Sequence, residues 1–214
     1  MLTWLSGPGL AIAGAVFVFG VLIRLHEIFS LGREPDLAPR RENSPGSGLR
    51  TVLTRSLPAP GMLRRSPVTY LGSYVFHIGF FVVVVLAARH IDVIEELSGI
   101  SWPALPKRAT DAVALASILA LLILLIDRLR DRVKRTLSGA GDYVAWALTM
   151  LPLLTGFLAH HRLLLGHSSM LSLHVLSVEI LLMALPFTRL AHAFTLFIAR
   201  WYNGDTFARK GVAS

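Results

Sequence analysis

Five long apolar stretches, separated by polar segments, dominate the chain. They cover residues 8–31, 68–90, 111–130, 143–163 and 170–199. A helix needs about 20 mostly apolar residues to cross a bilayer, and each stretch approaches or exceeds that length. The third has the shortest uncharged core, residues 112–126, and we expect Arg128 and Arg130 to extend it by snorkelling. The pattern predicts an all-α membrane protein, a single five-helix bundle over residues 1–214.

Composition agrees with a membrane protein and removes several kinds of cofactor site. Apolar residues make up 54% of the chain and charged residues 16%, against about a quarter charged in soluble domains. Residues 1–7 lack the basic start and small-residue cleavage site of a signal peptide, so we expect a retained first helix. The sequence contains no cysteine, which excludes disulfides, thiolate-bound iron–sulfur clusters and Cys-linked c-type haem.

Positive charge is unevenly distributed between the two ends of the predicted bundle. The 32–67 connection, the 127–142 connection and the tail after residue 199 fall on one side, and all three are basic. The 91–110 and 162–169 loops fall on the other side. The positive-inside rule therefore predicts a cytoplasmic basic side, a periplasmic N-terminus and a cytoplasmic C-terminus. The 32–67 segment holds seven arginines and a Gly/Ser-rich run, and we interpret it as a basic cytoplasmic loop or a docking strip for a partner.

Two histidines in the last apolar stretch suggest the chemistry. His174 and His192 are eighteen residues apart. In one continuous helix that spacing is five whole turns, so both imidazoles would leave the same face, separated by roughly 27 Å. The hydrocarbon core of a bilayer is about 30 Å thick. Because neutral imidazole is a common axial ligand of haem iron, the spacing predicts one helix of a cytochrome b with two stacked haems.

The partners of these two histidines can be sought at matching depths. His77, inside the second stretch, lies at a depth compatible with His192, and the pair suits bis-histidine ligation. The alternative is that each is a hydrogen-bonding histidine between helices. For His174 we favour His90 as the partner, although His90 is turned some 140° from the face of His77 in a regular helix. His160 and His161 remain alternatives, as does the absence of a second haem.

Three further residues of the last stretch invite a role. Glu179 would be either a proton acceptor near a quinol site or a hydrogen-bonding partner of a neighbouring helix. Arg189 could bind a haem propionate, since arginine pairs with carboxylates through two parallel hydrogen bonds, or could snorkel to the interface. We expect Pro186 to kink the helix between the two haem levels.

Several local motifs carry a family resemblance. They are the run Ile12-Ala13-Gly14-Ala15-Val16-Phe17 with Gly20 and Arg24, Ser73 followed by Phe76-His77-Ile78-Gly79, Ser138-Gly139-Ala140-Gly141-Asp142, and Pro186-Phe187-Thr188-Arg189-Leu190-Ala191-His192. Together with the five-span topology, they make the chain resemble the gamma subunit of respiratory nitrate reductase. That family is the dihaem cytochrome b membrane anchor of a respiratory oxidoreductase.

The resemblance implies roles for individual residues. His77 and His192 match the ligands of the haem proximal to the cytoplasm, and His174 matches one ligand of the distal haem. The family's second distal ligand falls at Ala87 here, so His90 would have to serve through a bulge or a shifted helix. The family's quinol site near the distal haem uses a lysine after the second helix, and Lys107 or Arg108 is the nearest match.

The resemblance also implies a function and partners. The protein would be the haem b, quinol-oxidising electron-transfer subunit of an enzyme complex such as nitrate reductase (quinone), in the bacterial inner membrane. Its partners would be a cytoplasmic iron–sulfur subunit and a molybdenum catalytic subunit, besides quinone and lipid, and no nucleic acid. Related subunits serve sulfur-compound or heterodisulfide-type complexes, with electrons delivered into quinone. A haem-free membrane anchor is the alternative from another class.

Overall fold

The computed structural model describes residues 1–31, 46–58 and 61–212. This part of the chain is helical and contains no strand. The helices are α1 Leu2–Trp4, α2 Leu10–Ser30, α3 Ser47–Thr54, α4 Met62–Arg65, α5 Pro67–Leu86, α6 Ala88–Ser98, α7 Lys107–Arg130, α8 Arg132–Leu137, α9 Ala140–His160, α10 His167–Ala184 and α11 His192–Arg209. Five helical segments of the described residues are long and apolar enough to cross a membrane: Leu2–Ser30, Pro67–Leu86, Lys107–Arg130, Ala140–His160 and His167–Phe187. The all-α class and the multi-pass membrane character are confirmed, while the orientation stays a prediction.

The first span begins earlier than its apolar pattern indicates. A five-residue π-helix, Leu5–Gly9, joins α1 to α2, so the segment is helical from Leu2 onward. Pro8 lies inside this π-helix. Proline has no N–H and its ring crowds the preceding turn, and the wider π turn is one way in which a helix accommodates such a residue.

The spans pack in the order α5, α7, α9, α10 and α2. Where α5, α7 and α9 meet, they bury a common cluster of apolar side chains: Phe76, Ile118, Ala120, Leu121, Met150 and Leu153. α5 approaches α7 so closely that a Cβ placed on Gly79 would clash with the Ser117 Oγ. Small residues at such crossings are typical of helix contacts in membranes.

The second span ends earlier than predicted. α5 stops at Leu86, since Ala87 has an extended backbone (φ −76°, ψ 131°), and α6 starts in a new direction at Ala88. The predicted helix 68–90 is therefore wrong at its end, and residues 91–98 of the predicted 91–110 loop are helical. The remaining loop folds back on α5, with the Trp102 Nε1 donating to the Val85 carbonyl at 2.8 Å.

The last apolar stretch is two helices rather than one. α10 ends at Ala184, and two short 3₁₀ turns, Leu185–Phe187 and Arg189–Ala191, lead into α11. The prediction of one continuous helix over 170–199 is wrong, and with it the five-turn argument. Pro186 breaks the helix rather than kinking it, because proline removes a backbone donor and Thr188 then adopts an extended backbone (φ −119°, ψ −177°). The Arg24 Nε donates to the freed Pro186 carbonyl at 3.0 Å.

Part of the predicted 32–67 loop is folded. α3 packs along α11, with Gly48 against the Trp201 indole and Gly204 against Thr51. The Arg200 guanidinium donates to the Ser56 hydroxyl at 2.9 Å. The isolated segment has too little apolar surface for a core, but the face of α11 supplies the missing surface. Residues 32–45, which include Arg33, Arg40 and Arg41 of this basic segment, lie outside the described residues.

Candidate functional site

His77 and His192 face each other across two helices. His77 lies in the middle of α5, and His192 is the first residue of α11. Their ring centroids are 6.2 Å apart and their planes cross at 68°. The helix break at Pro186 lets α11 present His192 towards α5, although the two residues are more than a hundred positions apart in sequence.

His90 and His174 form a second pair with the same separation. Their ring centroids are also 6.2 Å apart, and the rings are nearly parallel, at 20°. His90 belongs to the first turn of α6, and His174 to α10. The extended backbone at Ala87 supplies the shift that a regular helix would not, since it frees His90 from the direction of α5.

All four histidines use the same ring nitrogen to bond the backbone. In each, Nδ1 lies within hydrogen-bond distance of a carbonyl oxygen: Ser73 for His77 (2.7 Å), Arg189 for His192 (2.7 Å), Val83 for His90 (2.9 Å) and Pro152 for His174 (3.1 Å). A carbonyl oxygen can only accept, so Nδ1 must carry the proton. The Nε2 lone pair is thereby left for another partner, which is the arrangement usual in metal-ligating histidines.

The separation within each pair fits two imidazoles bound to one metal ion. Metal–imidazole bonds are about 2 Å long, and adding about 1 Å from each ring nitrogen to its ring centre gives roughly 6 Å between centroids. Directly hydrogen-bonded imidazoles need a protonated Nε2 on one ring, which the Nδ1 contacts disfavour. The chemistry and spacing of both pairs therefore suit axial ligation of haem iron.

The packing around His174 leaves room for its ring and little more. A Cβ on Gly156 would lie 2.9 Å from the His174 Cε1, so α9 must carry a glycine there. The Thr155 hydroxyl also lies 3.4 Å from the His174 Nδ1. Neither Gly156 nor Thr155 was singled out by sequence reasoning, because their relevance depends on how α9 faces α10.

Arg189 and Asp142 form an ion pair at the other end of the bundle. The Arg189 Nη1 lies 2.7 Å from the Asp142 Oδ1, and the Arg128 Nη1 lies 3.5 Å from the same atom. Arg189 also lines an open cleft with Ala140, Gly141, Val144, Phe187 and Thr188. The predicted propionate-binding arginine thus already has a carboxylate partner, and it adjoins His192 in sequence and in space.

Glu179 is buried on α10 against the N-terminal segment. A Cβ on Gly9 would lie 2.5 Å from its Oε1 and 3.1 Å from the Trp4 ring. That oxygen is shielded from solvent and has no hydrogen-bond partner among the residues that the structure describes. Lys107 and Arg108, the other predicted quinol-site residues, are exposed in the first turn of α7. The structure thus places Glu179 against α1 and the π-helix, and the two cations at the start of a different helix.

His160 and His161 lie beside a carboxylate that sequence reasoning did not single out. The Nε2 of each is 3.4 Å from the Asp111 Oδ1, whereas the ring that faces His174 belongs to His90. Asp111 is in the second turn of α7, while the two histidines end α9. The available signal was an acidic residue near the end of one span and a His-His pair at the matching end of the next.

Comparisons with known proteins give a relative of similar length but no information on activity. A protein of Nitratidesulfovibrio vulgaris (strain Hildenborough), named only "Protein", is 29% identical over 219 aligned positions, which cover 98% of this chain and 95% of its own length. No protein-family model matches the chain. No solved structure matches it either. The class defined by the fold is a multi-pass membrane protein with five candidate spans, and the Nitratidesulfovibrio protein is similar to it from end to end.

Proposed function

We propose that this protein is the membrane cytochrome b subunit of a respiratory oxidoreductase complex in the bacterial cytoplasmic membrane. The observation that carries the proposal is two pairs of facing imidazoles, one pair at each level of the bundle. In each pair the ring centroids are 6.2 Å apart. In all four rings Nδ1 is held by a backbone carbonyl, which leaves Nε2 available as a ligand. Two haem b groups bound there would supply one-electron transfer between quinone and a cytoplasmic iron–sulfur partner.

The work of the chain is then to hold and orient the ligands. The carbonyls of Ser73, Val83, Pro152 and Arg189 fix the tautomer and ring orientation of the four histidines. Arg189 is poised beside His192 to share its charge between Asp142 and a propionate. His77 and His192 form the level nearer the basic side, and His90 and His174 the level nearer the other side.

The basic end of the bundle offers a surface for a partner subunit. Arg50, Arg55, Arg64 and Arg65 are all exposed on the segment around α3 and α4. Within this segment α3 packs on α11 at Trp201 and Gly204, nine and twelve residues beyond His192, so a protein bound there would lie at the same end of the bundle as the first histidine pair. An iron–sulfur subunit with an acidic face fits that charge. A molybdenum catalytic subunit beyond it, as in nitrate reductase, is part of the proposal.

We assign Glu179 to quinol oxidation, together with Lys107 and Arg108, which lie apart from it at the start of α7. Glu179 is a buried carboxyl whose Oε1 lacks a hydrogen-bond partner among the described residues, which suits a group that accepts a proton. With the basic side in the cytoplasm, protons from quinol would leave towards the periplasm. The alternative is that the same protein serves a complex that oxidises sulfur compounds. The same residues would then take part in electron transfer in the opposite direction, into quinone.

The test is the pyridine haemochrome content of the purified protein. We expect two haem b per chain in the wild type and one in each of the variants His77→Ala, His90→Ala, His174→Ala and His192→Ala. His26→Ala, which alters an exposed histidine at the end of α2, is the matched control and should retain two. A wild-type protein without haem would refute the cytochrome proposal. Two haems in His90→Ala would remove His90 from the ligand set.

A further inference from the structure

A cluster of three ligating side chains lies outside the two histidine pairs. Asp111 of α7 meets His160 and His161 at the end of α9, and their ligand atoms all lie within 4.8 Å of one another. The Nε2 of each imidazole lies 3.4 Å from the same carboxylate oxygen, Asp111 Oδ1. The proposed electron transfer uses none of these residues.

The distances in this cluster suit a shared metal ion better than hydrogen bonds. Nitrogen-to-oxygen hydrogen bonds are usually about 2.9 Å long, so 3.4 Å is long for two at once. Two ligands held tetrahedrally at about 2.0–2.2 Å from a zinc ion are about 3.3–3.5 Å apart. The separation from Asp111 Oδ1 to each Nε2 therefore equals the edge of a tetrahedral zinc site.

An unpartnered buried nitrogen gives independent support. The His161 Nε2 is inaccessible to solvent and has no hydrogen-bond partner among the described residues. Leaving such an atom unsatisfied is unfavourable, so a native site normally provides it with a partner. Bonding to a metal ion would satisfy the lone pair without moving the ring.

The end of α9 is shaped to bring two consecutive histidines together. In a regular helix neighbouring side chains diverge by about 100°. His160 is the last residue of α9, and His161 caps it with φ −89° and ψ 1°, after which the chain turns. The two rings consequently approach to 5.2 Å between centroids, at 89°. All three side chains retain some exposure, between 25% and 43%, which leaves an entry path and a position for water.

We propose that Asp111, His160 and His161 bind one divalent transition-metal ion of the zinc class. Two imidazoles and one carboxylate are the ligand set of an open zinc site, with water in the fourth position. Calcium and magnesium prefer six or more oxygen ligands, so this cluster selects against them. A bound ion would tie the end of α9 to the start of α7.

Zinc binding by the purified protein, measured by isothermal titration calorimetry, is the test. The protein is produced without a His-tag, treated with EDTA and dialysed before titration with zinc chloride. We expect one high-affinity site in the wild type. Asp111→Asn and His161→Gln should each bind zinc at least tenfold more weakly than the wild type. The control, His26→Gln, lies on α2 at the opposite end of the bundle and should bind zinc as the wild type does.

Two measurements keep the result interpretable. Thermal unfolding without zinc should be the same in Asp111→Asn as in the wild type, and zinc should raise the unfolding temperature of the wild type alone. X-ray absorption of the zinc-loaded protein should show two imidazoles per ion. Absence of zinc binding, equal affinity in all variants or equal binding of magnesium would overturn the proposal. Haem content does not enter these readouts, so the metal site and the cytochrome proposal succeed or fail separately.

Discussion

At the scale of single residues, the backbone decides how each histidine can be used. The four facing histidines all bond a carbonyl through Nδ1, while the Nε2 atoms of His160 and His161 lie near the Asp111 carboxylate. The same residue type thus occurs in two kinds of site within one bundle. What distinguishes the two groups of histidines is which ring nitrogen lies near a protein oxygen, Nδ1 in the first and Nε2 in the second. The sequence does not contain that information.

A residue-scale prediction concerns Glu179. Glu179→Gln keeps the shape of the buried side chain but removes its ability to accept a proton. If Glu179 takes the proton of quinol, reduction of the haems by the quinol analogue menadiol should slow by about 10²–10⁴-fold, the usual contribution of a general base. Stopped-flow absorbance measures the rate. The haem content should not change, and an unchanged rate with normal haem content would exclude Glu179 from the quinol site.

At the scale of elements, the break between α10 and α11 is the feature that positions His192. The break is supported from α2, where Gly20 admits Pro186 and Phe187 at close range and Arg24 donates to the Pro186 carbonyl. A carbonyl freed by a helix break needs such a donor, because lipid offers none. The first-span motif on which the family resemblance rests thus includes the two residues, Gly20 and Arg24, that meet this break.

Replacement of Arg24 tests the support of the break. Arg24→Met should lower the free energy of unfolding by about 1–3 kcal/mol, the cost of an unsatisfied buried acceptor. SDS titration followed by far-UV circular dichroism measures it. Glu27→Gln is the control, since it removes the half-exposed ion pair of Arg24 (2.8 Å) and should cost at most about 1 kcal/mol. An equal or larger effect of Glu27→Gln would contradict this role.

The close contact of α5 with α7 gives a second test at this scale. A Cβ on Gly79 would clash with the Ser117 Oγ, and Ser117 is fully buried. Gly79→Ala should therefore destabilise the bundle by about 1–3 kcal/mol through overpacking. Adding Ser117→Ala removes the clashing oxygen and should restore part of the loss, visible as a coupling free energy in a double-mutant cycle by SDS titration. Additive effects of the two substitutions would contradict the close contact between α5 and α7.

At the scale of the whole molecule, charge predicts the orientation that the fold alone leaves open. α3, α4, α8 and α11 gather at one end of the spans, and α6 with its loop lies at the other. At the first end, Lys134 on α8 bonds Asp127 at 2.5 Å and Thr69 at 2.8 Å, so part of the positive charge is used structurally. The exposed arginines around α3 remain available to set the orientation and to meet a partner.

Single cysteines can test the orientation, because the chain has none of its own. Ser101→Cys, in the loop after α6, should react with a membrane-impermeant maleimide in intact spheroplasts. Thr136→Cys, exposed on α8, should react only after lysis. Labelling is read by fluorescence on a gel, with the cysteine-free parent as the blank. The opposite pattern would place the basic end in the periplasm and would contradict the proposed iron–sulfur partner.

Some of the fold could be predicted from the sequence, and the rest could not. The number of spans followed from apolar length, since a bilayer imposes the same length on every helix that crosses it. The helix breaks at Ala87 and Pro186 were missed or underestimated. Alanine carries no signal for a break, and a proline in a membrane helix is compatible with either a kink or a break, depending on which neighbour supplies a donor.

The candidate site shows the same division. Sequence reasoning named His77, His90, His174 and His192, because ionisable residues in apolar spans are few and stand out. It placed His174 and His192 on one face of a continuous helix that does not exist. It favoured His90 as the partner of His174 but left His160 and His161 as alternatives. Asp111 was overlooked, since its importance arises only where α7 meets the end of α9.

By itself, the sequence determined the membrane class, the number of spans and the histidines worth testing, because the bilayer acts on composition and length residue by residue. Only the tertiary structure decided which imidazoles face each other, which ring nitrogen is free and where the chain breaks to allow it. The physical reason is that these features depend on contacts between distant segments: Arg24 with Pro186, Gly156 with His174 and Asp111 with His161. No local pattern encodes such contacts.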